Sequence, residues 1–260
     1  MPFTHNHQAK IYWEESGTGE PLLLIMGLGY THEMWYRTRP VVSQYFRAIV
    51  FDNRGAGKSD VPPGPYSMEQ MAGDVAAVLD AAGVARADIF GMSLGGMIAQ
   101  EFALEFPDRV NHLILGCTAC GGRNAIPAAQ EARDALLGPA KLTSEEGAQG
   151  LVPYIYDSST PRQRVEEDLS IRRKSYPTAA GYMAQVNAIT SWTSFERLKE
   201  IHAPTLILQG ESDQLVPPDN ARILARHIEG SKLVMIPHAS HIFTTDQPEI
   251  ANREILVFIT

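Results

Sequence analysis

Ala87-Asp88-Ile89-Phe90-Gly91-Met92-Ser93-Leu94-Gly95-Gly96-Met97 is the stretch that decides the fold. A β-like apolar run enters a serine set between two glycines, and a helix-like run from Met97 to Phe106 leaves it. This is the layout of a nucleophile elbow, a sharp strand-to-helix turn that lifts a hydroxyl clear of the packed backbone. A serine hydroxyl is a weak nucleophile, so it needs a base at its proton and room for a carbonyl to approach. The turn brings backbone segments so close that side chains at 91 and 95 would collide, which accounts for glycine at both. It also aims the first N–H groups of the next helix at developing negative charge, and Leu94 N–H is the donor expected there.

Working outward, such a serine needs an acid and then a histidine later in the chain. Pro204 to Gln209 reads as a short strand running into the polar turn Gly210-Glu211-Ser212-Asp213. Active sites of open α/β sheets gather beyond the carboxyl ends of the strands, which favours Asp213 as the acid and leaves Glu211 as a solvated turn residue. Three histidines follow: His227, His238 and His241. His227 falls in a helical run, whereas His238 and His241 both follow the strand-like Lys232 to Pro237.

With these residues in place, the chain resembles the α/β-hydrolase fold superfamily nearly end to end. Ser93, Asp213 and His241, with their flanks, look like its triad. Asp52 to Ser59 resembles its D-x-R-G-x-G-x-S segment, and Pro204 to Asp213 its P-T-L-x-x-x-G-x-x-D segment. The family pattern sets the histidine five residues before an acid and seven before a proline, here Asp246 and Pro248, which selects His241 over His238. Within the superfamily, Gly91 to Ile98 and the overall size look most like small esterases and enol-lactonases of the 3-oxoadipate type. Two departures stand out. Met26-Gly27-Leu28-Gly29 lies where many relatives carry His-Gly, and Ser240 lies where glycine commonly precedes the histidine. A backbone donor makes no demand on its side chain, so the resemblance still implies Leu28 N–H as the second oxyanion donor beside Leu94 N–H.

The implied architecture is an α/β fold, a mostly parallel sheet flanked by helices, with a helical cap inserted over the active site. Residues 1–121 and 201–260 form the core and residues 122–200 the cap. Periodicity agrees, since strand-sized apolar runs recur at 8–13, 22–26, 48–52, 88–92, 112–117, 205–209 and 233–237, with none between 122 and 200. Helices are expected near 67–82, 94–106, 219–228 and 246–258.

The implied reaction is two-step acyl transfer on a small-molecule ester or lactone, with no cofactor and no metal. Met92, Tyr154 and Trp192 are expected substrate contacts, and the cap adds Tyr156, Tyr176, Tyr182 and Met183. The run Arg172-Arg173-Lys174 either binds a substrate carboxylate or forms a solvated helix face. Fold does not fix reaction. C–C bond hydrolysis of the meta-cleavage type shares a Gly-x-Gly loop like Gly27 to Gly29, although Met92 stands where asparagine is common there. A slow-turnover ligand receptor on the same scaffold is a further alternative. Ser93 excludes the relatives that use an aspartate nucleophile.

Composition narrows the partners. With 260 residues and 44% hydrophobic content the chain buries one good core, and a net charge of −8 argues against nucleic acid or an anionic membrane. No basic segment followed by an apolar stretch opens the chain, and the apolar runs are too short to span a bilayer, so a cytoplasmic enzyme is expected, its oligomeric state open. Cys117 and Cys120 form a lone C-x-x-C, read as structural because a zinc site would need more ligands. Gly55 to Ser59 mimics the end of a phosphate-binding loop, but Asp52 occupies the position of its first glycine.

Overall fold

The computed structural model describes residues 3–137 and 145–260. Eight strands run in chain order as β1 (Phe3–Asn6), β2 (Ala9–Ser16), β3 (Pro21–Ile25), β4 (Arg47–Phe51), β5 (Ala87–Met92), β6 (Val110–Gly116), β7 (Thr205–Gly210) and β8 (Lys232–Ile236). They lie side by side as β1-β2-β4-β3-β5-β6-β7-β8. β1, β2 and β4 pair antiparallel, and from β4 to β8 every pairing is parallel. Each expected strand is present. β1 is the addition, and its four residues Phe3-Thr4-His5-Asn6 carry too little apolar pattern to stand out.

The central strands read as continuous apolar runs because both of their faces are covered. Successive side chains point to opposite faces, so Leu23, Ile25 and Ile89 share one core with Val75, Ile98 and Phe102. Leu22, Leu24 and Phe90 face the other, with Trp35, Phe243 and Ile255. The helices are α1 (Arg39–Val42), α2 (Met68–Ala81), α3 (Leu94–Glu105), α4 (Gln130–Leu137), α5 (Glu145–Ile155), α6 (Arg162–Arg173), α7 (Ala179–Ser191), α8 (Asp219–His227), α9 (Phe243–Asp246) and α10 (Pro248–Ile259). A capping box between Ser67 and Gln70 starts α2. The last expected helix begins two residues late, because Gln247 leaves helical geometry (φ −134°, ψ 61°) and Pro248 restarts the chain.

Helices α4 to α7 fall between β6 and β7, with no strand among the described residues there. A single antiparallel bridge, Gly121 to Thr193, ties the start of this insertion to its end. The loops after β3, β5, β7 and β8 emerge at the carboxyl edge of the parallel strands, which is where their polar residues can meet. Among the described residues no helix is long and apolar enough to cross a membrane.

Candidate active site

Ser93 sits between the last residue of β5 and the first of α3, with φ 56° and ψ −118°. A non-glycine residue at positive φ is strained, and the surroundings hold it there. Its N–H donates to Gly116 O at 2.8 Å, and the Thr118 hydroxyl donates to Ser93 O at 2.7 Å. A Cβ on Gly91 would lie 2.1 Å from Gly95 O, and one on Gly95 2.1 Å from Ile25 O, so both positions admit only glycine.

Asp213 is buried and Glu211 is exposed. One Asp213 oxygen, Oδ1, accepts from Leu215 N at 2.9 Å and Val216 N at 2.8 Å. The other, Oδ2, accepts from the Gln209 amide at 3.1 Å and lies 2.9 Å from His241 Nδ1. An ionised carboxylate only accepts, so Nδ1 carries the hydrogen and Nε2 is left as the acceptor. Burial disfavours a charged His241 ring, yet the Cys117 sulfur and the Asp213 carboxylate beside it hold its pKa well above the ordinary histidine value. Burial also pushes the Cys117 thiol up, so the thiol keeps its proton and the stabilising charge is that of Asp213.

Buried Asp246 anchors the loop bearing His241 by accepting from Ser240 N at 2.6 Å and from the Thr160 hydroxyl at 2.5 Å. The left-handed residue of this loop is His238 (φ 54°), so Ser240 occupies its position without needing glycine. His238 and His227 are both exposed, apart from this pair.

The segment Met26-Gly27-Leu28-Gly29 passes directly over the serine, and a Cβ on Gly27 would lie 3.2 Å from Ser93 Cβ. The loop is held without the histidine many relatives carry. Asn53 Nδ2 donates to Met26 O at 2.8 Å, and Gly29 N–H donates to Gln185 Oε1 at 2.9 Å. Gln185 is fully buried on α7 and donates in turn to Arg54 O at 2.7 Å. Leu94 opens α3, so its N–H has no carbonyl one turn earlier to bond. Asp52 to Ser59 is structural: the Asp52 carboxylate accepts from the N–H groups of His32 and Lys58, both at 2.8 Å.

Ser93, His241, Leu28 and Leu94 line one cavity of about 450 Å³. Met92 lines it as well, as does Tyr182 from α7. Tyr154 and Trp192 do not, which corrects their expected place as substrate contacts. The Trp192 indole N–H is turned to buried Glu101 on α3, at 2.6 Å, and there it fastens the insertion to the core. Tyr154 is half-buried on α5, and its carbonyl accepts from the Ser240 hydroxyl at 3.4 Å. The basic run divides: Arg172 is buried, lines the cavity and stacks over the Tyr30 ring at 4.1 Å, whereas Arg173 is exposed and pairs with Glu145 and Glu166. Arg133 also lines the cavity, and no acidic side chain among the described residues does.

Cys117 lies at the end of β6 with φ 40°, fully buried. Its sulfur falls within 4.8 Å of the ligating atoms of both Asp213 and His241. Neither this contact nor the Gln185 clamp was expected from the sequence: the C-x-x-C spacing of Cys117 and Cys120 points to no partner elsewhere in the chain, and no motif marks Gln185.

A family model described as alpha/beta hydrolase fold matches residues 20–248. The chain is 29% identical to a protein of Azorhizobium caulinodans named "Putative carbamate hydrolase RutD", over 99% of this chain and 98% of that one. It is 30% identical to 3-oxoadipate enol-lactonase 2 of Acinetobacter baylyi, over 90% of this chain and 86% of that one. Among solved structures, the enol-lactonase from Burkholderia xenovorans superposes with a TM-score of 0.89 at 25% identity, covering 99% of each chain.

Proposed function

Since the chain belongs to the alpha/beta hydrolase fold family, we propose that it is a serine hydrolase that cleaves small to medium carboxylic esters or lactones through an acyl-enzyme. The observation that carries this reading is the convergence on one cavity of an elbow serine and a histidine whose far nitrogen is held by a buried aspartate. His241 Nε2 takes the Ser93 proton as Oγ attacks the carbonyl, and the Nδ1–H bond to Asp213 fixes the tautomer and stabilises the imidazolium. Leu28 and Leu94 N–H receive the oxyanion. His241 then protonates the departing alkoxide, and a water activated by the same ring releases the acyl group. The inserted helices act as the cap that shapes the substrate space.

Two guanidinium groups, those of Arg172 and Arg133, line the otherwise apolar cavity, and a guanidinium there suits a substrate with a carboxylate away from the scissile bond. Steady-state hydrolysis of p-nitrophenyl butyrate and of mono-p-nitrophenyl glutarate is the test, run on wild type, Ser93→Ala and Arg172→Met. Turnover should vanish in Ser93→Ala, and Arg172→Met should lower kcat/KM about tenfold or more for the glutarate ester alone. Equal rates in wild type and Ser93→Ala would reject the serine mechanism.

A further inference from the structure

We propose that Cys117 makes the acid–histidine pair a binding site for a thiophilic divalent cation, Zn2+ or Cd2+, and that the bound cation blocks turnover. The inhibitory half rests on the serine-hydrolase reading; the binding half does not.

A sulfur, an imidazole nitrogen and a carboxylate oxygen are brought within 4.8 Å of one another by Cys117, His241 and Asp213. That is a zinc donor set, and thiolate is the ligand that selects soft and borderline cations over Mg2+ or Ca2+. Bonds of about 2.0 to 2.3 Å place tetrahedral donors roughly 3.3 to 3.8 Å apart, so closing on a cation asks for movements on the order of 1 Å. All three residues are buried, and His241 lines the cavity that holds Ser93, which gives the cation its route in.

Acyl transfer makes no use of Cys117, yet its backbone is held in the left-handed region at φ 40°, with its N–H donating to Leu208 O at 2.9 Å. Strain at a non-glycine residue persists only where surrounding structure enforces it. Here that keeps the thiol against the pair. On binding, the S–H and Nδ1–H bonds break, the thiol proton leaving to solvent and the ring proton moving through solvent to Nε2, and metal–sulfur, metal–nitrogen and metal–oxygen bonds form without change of oxidation state. Water completes the coordination, as in sites with three protein ligands. An imidazole that holds the cation at Nδ1 and its hydrogen at Nε2 cannot accept the Ser93 proton.

The chain has one other cysteine, Cys120, which lies outside this cluster and serves as the control. The experiment titrates the chelator-treated full chain with Cd2+, following the ultraviolet thiolate-to-cadmium charge-transfer band and p-nitrophenyl butyrate turnover together. Wild type, Cys117→Ala, Cys117→Ser and Cys120→Ala are compared, with each rate normalised to that variant's own metal-free rate. The expected result is one band per chain in wild type and Cys120→Ala and none in either Cys117 variant. The inhibition midpoint should match the band midpoint and rise at least about tenfold when Cys117 is replaced. A band that survives in both Cys117 variants, or no band in wild type at millimolar Cd2+, overturns the site. A Cys117-dependent band with undiminished turnover overturns the inhibitory half. If no variant hydrolyses the ester, the functional reading fails while the band still decides the metal site.

Discussion

In the proposed mechanism His241 has to be neutral to accept the Ser93 proton, while the Asp213 carboxylate at 2.9 Å favours its charged form. The ring therefore gives up its proton only above the ordinary histidine value of 6.5. It follows that kcat/KM climbs with rising pH and that the midpoint of its acid limb lies above 6.5, a profile that steady-state rates across pH would read directly. Asp213→Asn should move that limb downward and cut the rate by roughly three orders of magnitude, since the amide neither offsets the imidazolium charge nor fixes the tautomer. A limb that stays in place in this variant would mean another group titrates. Ser93, Asp213 and His241 are legible in the sequence because each stands at a fixed offset from glycine, proline or a strand end. Cys117 has no such offset. Its nearness to His241 depends on β6 lying beside β7, a neighbour relation that a linear pattern does not encode.

Elements place donors that single residues cannot. Leu28 N–H belongs to a loop with no regular structure, and its position is fixed at Gly29 N–H by Gln185, which reaches in from α7 at 2.9 Å. Replacing Gln185 with leucine removes that acceptor and leaves the Gly29 N–H and the Arg54 carbonyl without this partner. Turnover should fall about ten- to a hundredfold with little change in KM, because in the proposed mechanism the loop's donor contributes most in the transition state. Parallel denaturation curves would separate this from loss of fold, and a KM increase with kcat intact would instead assign Gln185 to substrate binding. Strands and core helices are readable from periodicity, and those around the site are where the sequence places them. The inserted helices are readable only as helices. Which faces meet the cavity depends on packing, so Tyr182 and Arg172 line it while Trp192 is spent on Glu101.

At the scale of the whole molecule, the insertion and the sheet meet at a buried carboxyl. Asp246 accepts from Ser240 N on the histidine loop and from the Thr160 hydroxyl just before α6, so one side chain fastens both. Burial pushes its pKa from 3.8 to about 6 despite these bonds. The folded protein consequently keeps this proton up to about pH 6, whereas the unfolded chain releases it near 3.8. Folding then binds a proton between those values, and the stability this group contributes is complete below 3.8 and lost as pH rises through about 6. Across that window the loss is on the order of 2 to 3 kcal/mol. Asp246→Asn does not titrate, so urea unfolding at about pH 4 and about pH 7 should show wild type losing more stability on the rise than the variant, by on the order of 2 kcal/mol. Other carboxyls and histidines are common to both proteins and cancel in the comparison. Equal pH dependence in the two would mean that the Ser240 and Thr160 donors already hold Asp246 ionised in the folded state, and that its burial costs the joint nothing.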